Sequence, residues 1–463
     1  MLDLKNIRTV YFLGIGGIGM SALARYFQFQ GCKVYGYDKI ASALTNALEK
    51  EGIVIRFDED ITKIPETTDL VVLTPAIPND NTLLQYFIKN NTPIKKRAEV
   101  LGLIAREGLN IAVAGTHGKT TVTTLISHLL KQSIVDCTAF LGGISKNYNT
   151  NLLLSTYSKY IVAEADEYDR SFLQLFPHIA IITSIDADHL DIYGSKASLE
   201  DSFCKFALQV QEKGYLIVNM KINIPFNLDK NAKVYQYSLQ DEKADFYASG
   251  IQMNKGLYSF DFHYPDGVIT DLRLGLPGLF NVENAVAALA ATWLCKVQSS
   301  ELRKALLTFS GVKRRFDYRF KSPECVYIDD YAHHPEELKT CISSIRNLYP
   351  GKKIMGIFQP HLFSRTRDFA EEFARSLELL DKIILLDIYP AREKPIEGIT
   401  SQFLLDKIEK KEKKLCTKEN VLDEIENNLP EIIVTLGAGD IDRLVEPIVN
   451  MLNKRINTQD HEN

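Results

Sequence analysis

The run GTHGKTT at residues 115–121 constrains the fold of this chain more than any other feature. An apolar, strand-like segment at 110–114 precedes it, and a helix-like segment at 121–130 follows it. A strand, a glycine turn and a helix in this order direct backbone N–H groups at one point, which suits phosphate. The strict pattern has glycine five residues before Gly118, where this chain has Val113, so the loop is a shortened relative. The predicted phosphate-contacting residues are Gly115, Thr116, His117, Gly118, Lys119, Thr120 and Thr121.

Length and composition describe a multidomain globular chain. Its 463 residues exceed what one ordinary core supports, so about two to three domains are expected. The 54 basic and 59 acidic side chains leave a net charge of −5, which does not favour nucleic acid or an anionic membrane surface. The run KIEKKEKK at 407–414 alternates lysine with glutamate, and it is interpreted as a solvated helix face.

The cysteines and the hydropathy pattern indicate a cytoplasmic protein. Seven cysteines are scattered without CxxC spacing, which argues against a disulfide framework or a zinc site and for a reducing compartment. No signal peptide precedes the first predicted strand, and no apolar stretch approaches the roughly 20 residues of a membrane span. We therefore expect no membrane insertion.

A second glycine turn lies near the amino terminus. The strand-like run at 9–13 leads into GIGGIG at 14–19 and a helix-like run, and a second strand at 33–37 ends at Asp38. Another buried strand is predicted at 69–76. A G-x-G-x-x-G turn with an acidic residue about 20 positions later is typical of a dinucleotide-binding fold. By this motif alone, the turn and Asp38 suggest NAD.

Two further α/β units follow. Runs of β-branched residues without alternation predict strands that are covered on both faces of a sheet. In the second unit these runs lie at 160–164, 178–183 and 215–219, and in the third at 325–329, 353–358, 382–387 and 431–436. A weaker, alternating stretch at 243–276 contains Pro-Asp-Gly and predicts an antiparallel hairpin. The alanine-rich run at 281–295 predicts a helix.

Acidic and imidazole groups follow two strands of the second unit. Glu164 ends one strand within EADEYD at 164–169, and His189 follows the next strand within DADHLD at 186–191. Ligands collect at the carboxyl ends of parallel strands, and these groups near a phosphate loop can hold Mg²⁺ and its waters. The alternative for the remaining carboxylates is an N-cap or a solvated acidic turn.

Four other polar segments are open to more than one interpretation. The amides in NVEN at 281–284 are either a helix cap with a surface amide or a pair that reads an adenine edge. The run KRRFD at 313–317 is either an arginine clamp or a basic linker. The runs DDYAHHP at 329–335 and FQPHLFSRTR at 358–367 follow strands, and their histidines, carboxylates and arginines indicate a cluster that faces substrate.

Eight motifs in one order resemble the Mur ligase family over essentially the whole chain. They are GIGGIGMSALA, GTHGKTT, EADEYD, DADHLD, GVKRRFD, DDYAHHP, FQPHLFSRT and LGAGDI. The resemblance implies an α/β fold of three domains. These are a Rossmann-like N-terminal domain that binds a UDP-sugar (1–108), a central P-loop ATPase domain (109–318) and a Rossmann-like C-terminal domain that binds the amino acid (319–463).

The resemblance also implies an activity in peptidoglycan precursor synthesis. ATP-dependent ligation would join L-alanine to the lactyl carboxylate of UDP-N-acetylmuramate through an acyl phosphate and release ADP and phosphate. The implied cofactors are ATP and Mg²⁺, with Mn²⁺ as an alternative metal, and the implied partners are UDP-N-acetylmuramate, L-alanine and ATP. Nucleic acid and membrane insertion are not implied, and no protein partner is named.

Position by position, the resemblance assigns site residues. The implied catalytic residues are Lys119, Glu164, His189, Asp330 and His334. The ATP-binding residues are the phosphate loop with Asn281, Asn284 and Arg315. The first glycine loop would hold the UDP-sugar through Gly14, Gly16, Gly17, Ile18, Gly19, Ser21, Asp38 and Thr74. The residues for the amino acid and carboxylate are Tyr331, His333, His361 and Arg365, and the metal ligands are Thr120, Glu164 and His189.

Three positions depart from the family pattern. Phe280 replaces a frequent histidine, Asp186 a frequent glutamate and Leu362 a frequent arginine. None of these removes the implied chemistry, although Leu362 removes one candidate anion contact. The alternative functions are a sister ligase that joins a whole peptide to the same sugar, an NAD-dependent oxidoreductase, and a non-catalytic nucleotide-gated binding protein. The preference among alanine, serine and glycine stays open.

Overall fold

The structure is a computed structural model, and it describes residues 3–186, 193–228, 231–391 and 393–462, with side chains to 455. The chain forms two compact units. The first consists of Met1–Leu276 with Asn281–Gly311, and the second of Pro277–Phe280 with Val312–Asn463.

The amino-terminal part of the first unit is a parallel five-stranded sheet in the order β3-β2-β1-β4-β5. Its strands are β1 (Thr9–Leu13), β2 (Lys33–Tyr37), β3 (Val54–Arg56), β4 (Leu70–Leu73) and β5 (Ile94–Lys96). Its helices are α1 (Ile18–Phe29), α2 (Ala43–Lys50), α3 (Thr82–Lys89) and α4 (Arg97–Ala105). The order reverses at β1, so ligands are expected at the carboxyl end of β1, where the first glycine turn lies.

A second, seven-stranded sheet in the same unit has the order β12-β11-β10-β6-β9-β7-β8. Its strands are β6 (Leu109–Ala114), β7 (Thr138–Phe140), β8 (Leu152–Leu153), β9 (Tyr160–Glu164), β10 (Ile179–Ile182), β11 (Tyr215–Asn219) and β12 (Lys233–Tyr237). The helices are α5 (Lys119–Lys131), α6 (Lys196–Leu208), α7 (Leu279–Leu294) and α8 (Ser299–Thr308). Strand β6, which leads into the phosphate loop, lies between β10 and β9.

The predicted hairpin is confirmed, and a third strand extends it. An antiparallel sheet is formed by β13 (Tyr247–Asn254), β14 (Leu257–Tyr264) and β15 (Gly267–Arg273). Tyr264 pairs with Gly267, so the Pro-Asp-Gly segment forms the turn.

The second unit contains a six-stranded sheet in the order β16-β17-β21-β18-β19-β20, and only β16 runs antiparallel to its neighbour. Its strands are β16 (Asp317–Lys321), β17 (Val326–Asp330), β18 (Ile354–Phe358), β19 (Lys382–Leu385), β20 (Lys413–Leu415) and β21 (Ile432–Leu436). Its helices are α9 (Pro335–Leu348), α10 (Phe363–Asp368), α11 (Ala370–Leu377), α12 (Ser401–Lys407), α13 (Val421–Asn427) and α14 (Val445–Glu462). Short 3-10 helices lie at Leu4–Asn6, Ile61–Lys63, Tyr168–Gln174, Lys418–Asn420 and Asp440–Leu444.

The interpretation of residues 407–414 as a helix face is wrong. Helix α12 ends at Lys407, and the chain then enters the edge strand β20, which pairs with β19. Lys413 donates from Nζ to the carbonyl of Leu405 at 2.8 Å and also to the carbonyl of Ile408. A lysine that donates to the last carbonyls of a helix stabilises the helix end at that point. The alternation of lysine and glutamate in the sequence did not indicate this contact of Lys413.

Alternate residues of the central strands face different cores. On β6, Ala112 and Ala114 pack on one side of the sheet, while Ile111 and Val113 pack on the other. Both faces are therefore covered, which explains the continuous apolar runs. Among the residues that the structure describes, no helix combines the length and apolar character of a membrane span.

Candidate functional site

The phosphate loop has the backbone geometry that its two glycines permit. Gly115 has φ +136° and Gly118 has φ +81°, which are conformations that L side chains rarely adopt. A Cβ atom at Gly115 would lie 2.1 Å from the hydroxyl of Thr183, the residue that follows β10, so a side chain at position 115 would also collide with that residue. The turn places Lys119 and Thr120 in the first turn of α5, whose free N–H groups favour anions.

Lys119 is held by a buried carboxylate. Its Nζ donates to the carbonyl of Gly115 at 2.6 Å and lies 2.9 Å and 2.8 Å from the two carboxylate oxygens of Glu167. The Glu167 side chain is 0% exposed. Burial acts to lower the pKa of Lys119, but the nearby charges of Glu167, Asp166 and Glu164 outweigh burial and raise that pKa above its ordinary value. The lysine is therefore a fixed positive charge.

Thr120 and Glu164 form an oxygen pair beside the loop. Thr120 donates from its hydroxyl to Glu164 Oε1 at 3.1 Å. The carboxylate fits closely against Gly142, where a Cβ atom would lie 2.0 Å from Glu164 Oε2. Hydroxyl and carboxylate oxygens are ligands that Mg²⁺ prefers, so this pair fits the ion. Within the described ranges, no group of three or more His, Cys, Asp or Glu side chains is arranged to hold a metal.

The segment after β10 supports the loop from the other side. Ser184 accepts the backbone N–H of His117 through its hydroxyl at 2.9 Å, and its hydroxyl lies 2.9 Å from that of Thr116. The Thr116 hydroxyl accepts the N–H of Asp186 at 3.1 Å, and Asp186 lies 3.4 Å from the His117 ring. Position 186 therefore contacts the phosphate loop. His189 lies outside the described residues.

The two amides of α7 lie beside the phosphate loop. Asn281 is buried, and Asn284 Nδ2 donates to Asn281 Oδ1 at 3.2 Å. The loop and this pair meet at Gly118, because a Cβ atom there would lie 2.9 Å from Asn284 Oδ1. Helix α7 begins at Leu279, so Asn281 lies within the helix rather than at its cap.

The first glycine turn is shaped by neighbouring side chains. Gly14 has φ +86°, and a Cβ atom there would lie 2.3 Å from Cγ2 of Thr74. Asp38 accepts the N–H of Gly16 at 2.7 Å, so this carboxylate fixes the turn that the sequence assigned to ligand binding. Ser21 is buried, donates to the carbonyl of Ile18 at 2.9 Å and accepts from Asn151 at 2.9 Å. Gly17 is exposed at this turn, and Gly19 packs against Arg97.

In the second unit, Asp330 lies at the carboxyl end of β17. It accepts the N–H groups of Phe316 at 2.6 Å and Ala332 at 2.8 Å. Burial raises the pKa of Asp330 to about 6, against the lowering effect of Arg315 and those two hydrogen bonds. The carboxylate therefore changes charge close to neutral pH.

Aromatic and imidazole rings surround this strand end. Arg315 lies 4.9 Å from the ring centroid of Tyr331 and 3.9 Å from the carboxylate of Glu337. His333 lies 5.8 Å, centroid to centroid, from His361 and 3.3 Å from Glu337. Five predicted residues, Arg315, Asp330, Tyr331, His333 and His361, thus come together within the second unit.

The other two predicted residues of this unit are both buried. His334 precedes Pro335 at the start of α9 and packs its ring 5.1 Å from the Phe369 ring. Arg365 lies on α10 and is 7% exposed. The Leu362 position has φ +67°, a left-handed conformation at the start of α10.

Several neighbours of the site were not assigned from the sequence. Glu167 stands within EADEYD, but a run with four carboxylates does not indicate which one is buried. Glu337 lies in the first turn of α9 and contacts both Arg315 and His333. Arg97 follows a strand of only three residues, which is too short to recognise by its pattern. One signal could have indicated these residues from the sequence, namely the general tendency of polar residues that follow strands to face ligands.

Comparisons with known proteins agree with this architecture. Family models match three segments: the Mur ligase family catalytic domain at 9–108, the Mur ligase middle domain at 113–292 and the Mur ligase glutamate ligase domain at 314–441. A UDP-N-acetylmuramate–L-alanine ligase of Parabacteroides distasonis is 50% identical over 461 residues, which cover 98% of this chain and 99% of that protein.

Solved structures give the same result. A UDP-N-acetylmuramate–alanine ligase from Thermotoga maritima matches with a TM-score of 0.81 and 27% identity, covering 97% of this chain and 100% of that chain. A murein peptide ligase from Psychrobacter arcticus matches with a TM-score of 0.70 and 22% identity over 96% of this chain and 98% of that chain, which is a likeness of fold. The predicted three-part α/β architecture is confirmed, and the chain belongs to the Mur ligase family.

Proposed function

We propose that this chain joins L-alanine to the lactyl carboxylate of UDP-N-acetylmuramate, with conversion of ATP to ADP and phosphate. The observation that carries the proposal is a fixed lysine at the start of a phosphate-binding helix, in a chain that is 50% identical to an L-alanine ligase over 98% of its length. The reaction belongs to peptidoglycan precursor synthesis, and we place it in the cytoplasm, where ATP is supplied.

The chemistry explains why a triphosphate is needed. A carboxylate is a poor acyl donor because its negative charge repels an amine nucleophile. The lactyl carboxylate attacks the γ-phosphorus of ATP, the bond to the β-phosphate oxygen breaks, and ADP leaves with that bonding pair. Lys119 neutralises the charge that develops on the phosphoryl oxygens. A Mg²⁺ ion held by Thr120, Glu164 and His189 would supply further positive charge there, and Mn²⁺ is the alternative ion.

The second step forms the amide bond. The neutral amine of alanine attacks the acyl carbon, phosphate leaves, and the ammonium that forms loses a proton. Asp330 and His334 are the candidates that orient the amine or accept this proton. The pKa of Asp330, near 6, supports this role because the carboxylate is ionised at neutral pH but still basic enough to hold a proton transiently.

The remaining residues would bind the substrates. We assign Asn281, Asn284 and Arg315 to ATP, and the first glycine turn with Asp38 and Thr74 to the UDP-sugar. We assign Tyr331, His333, His361 and Arg365 to the amino acid and carboxylate groups. Separate sheets support a division of these tasks among the proposed domains, 1–108, 109–318 and 319–463.

Phosphate release by the purified full chain tests the function. The assay contains ATP, Mg²⁺ and UDP-N-acetylmuramate, and it compares alanine, glycine, serine and an alanine-starting tripeptide. We expect the fastest release with alanine. Faster release with the tripeptide would favour the peptide-adding alternative, and release with no amino substrate that exceeds the alanine rate would contradict the proposal. An NAD reduction assay with the same protein is expected to show no turnover.

A further inference from the structure

Arg97 lies against the first glycine turn. It is the first residue of α4, directly after the edge strand β5. A Cβ atom added to Gly19 would lie 3.0 Å from both Cδ and Nη1 of Arg97. Gly19 is in the first turn of α1, so the guanidinium is beside the end of the helix that favours anions.

The partner of Arg97 within this unit is a weak one. Arg97 Nη2 lies 3.6 Å from Asp166 Oδ2, with side chains 21% and 40% exposed. Charge-assisted hydrogen bonds are about 2.7–2.9 Å long, and exposed pairs contribute little because water screens them. The adjacent Lys96 faces Asp169 in the same manner, at 3.5 Å. Two neighbouring cations therefore face two aspartates of one loop across long, partly exposed contacts, which a closer anion can replace.

The loop that carries these aspartates also carries the partner of the phosphate-loop lysine. Glu167, which contacts Lys119, directly follows Asp166. Asp169 and Arg170 both have φ +54°, a left-handed conformation that costs non-glycine residues on the order of 1 kcal/mol or more each. Contacts with other parts of the chain must therefore stabilise the conformation of this loop, and the contact of Asp166 with Arg97 is one of them.

From this geometry we propose that Arg97 binds the diphosphate of the UDP-sugar and releases Asp166 when it does so. The inference rests on the proposed function and adds a residue to it. A diphosphate offers several anionic oxygens to the guanidinium fork, whereas Asp166 offers one oxygen at long range. Asp166 competes with the substrate for the same cation, so its charge lowers the affinity for the UDP-sugar.

Opposite effects of two substitutions test the exchange. Isothermal titration of the full chain with UDP-N-acetylmuramate, without ATP, gives the affinities. We expect Arg97→Met to weaken binding about 10- to 100-fold, as for loss of a charge-assisted contact. We expect Asp166→Asn to strengthen binding about two- to fivefold. In the double variant, binding should match Arg97→Met alone, because the asparagine has no cation left to release.

A purely structural role for the pair predicts that both single variants weaken binding, so weaker binding by Asp166→Asn overturns the inference. Arg97→Lys keeps the charge and should recover part of the affinity, which covers the case in which Arg97→Met does not fold. The matched control is Lys96→Met, the adjacent exposed cation, for which less than about a threefold change is expected. A larger loss of affinity in Lys96→Met than in Arg97→Met would contradict the assignment.

A second ligand separates the diphosphate from the lactyl carboxylate. UDP-N-acetylglucosamine carries the same diphosphate without the lactyl group, so Arg97→Met should lower the affinity for both nucleotides by the same factor. A loss confined to UDP-N-acetylmuramate would overturn the assignment to the diphosphate. If the wild-type chain binds neither nucleotide, the proposed function fails; if it binds both and Arg97→Met is unchanged, the inference alone fails.

Discussion

Glu167 and Lys119 form a buried ion pair, with Nζ 2.8 Å and 2.9 Å from the carboxylate oxygens, although 48 residues separate them in the chain. Nζ also donates to the Gly115 carbonyl, so the lysine is fixed by the loop that it serves. A charge that is already desolvated and oriented requires little reorganisation when charge develops on a phosphate. Glu167 is thus a positioning residue that acts through Lys119.

Replacement of Lys119 should abolish most of the catalysis. We expect Lys119→Ala to lower turnover by about 10²-fold or more and to leave UDP-sugar affinity nearly unchanged, because the lysine acts on the phosphoryl group. The substitution leaves the Glu167 carboxylate buried, so thermal unfolding must be measured beside phosphate release. Lys131→Ala, at the other end of the same helix, is the control. Near-normal turnover in folded Lys119→Ala would refute the role.

Gly142→Ala should disturb the carboxylate that we assign to the metal. The added methyl would lie 2.0 Å from Glu164 Oε2, so the carboxylate must leave the position in which it accepts from Thr120. We expect the metal concentration that gives half-maximal activity to rise by about 10-fold or more, as it does when a residue that orients a metal ligand is replaced. Gly351→Ala adds a Cβ in open space at a left-handed φ of +80°, so it controls for general backbone destabilisation without a collision at Glu164. An unchanged metal requirement would contradict this assignment.

Asp330 should make stability depend on pH between about 4 and 6. The unfolded carboxyl has a pKa of about 3.9, and burial raises the pKa of Asp330 to about 6 in the fold. Between these values the folded state binds more protons, so the free energy of unfolding falls as pH rises, by up to about 1.4 kcal/mol per pH unit. Urea unfolding across this range should show the decline in wild type.

Asp330→Asn removes the titrating group, so its stability relative to wild type should increase from pH 4 to pH 6. The exposed Asp387→Asn is the control for loss of a surface carboxylate. A difference between Asp330→Asn and wild type that stays constant from pH 4 to pH 6 would show that burial does not raise the pKa of Asp330.

Arg365→Ala should mainly affect substrate binding. We expect the Michaelis constant for alanine or for the UDP-sugar to rise about 10-fold or more, because a guanidinium that binds a carboxylate or phosphate is lost. The matched control is Arg367→Ala on the same helix, since Arg367 is 51% exposed and pairs with Asp368 at 2.7 Å. If only the constant for ATP changes, Arg365 belongs to the nucleotide rather than to the carboxylate side.

The sequence was sufficient wherever the signal was local. The strand, glycine turn and helix around Lys119, the longer apolar strands of the parallel sheets and the Pro-Asp-Gly hairpin were predicted, because each depends on residues a few positions apart. Short strands such as β3, β5 and β7, of three residues each, were not predicted. Run 407–414 was misjudged because the end of α12 depends on a contact from Lys413 on the following strand. Ordered motifs also indicated the family before any fold was known.

The amino-acid order alone determined the three α/β segments and the phosphate loop, since turn chemistry and hydrophobic periodicity are properties of short segments. Only the tertiary structure decided which of the neighbouring carboxylates Asp166 and Glu167 is exposed and which is buried against Lys119. It likewise brought Arg97 to Gly19. The physical reason is that burial and charge pairing depend on groups distant in sequence, which only the packing of the sheets brings together.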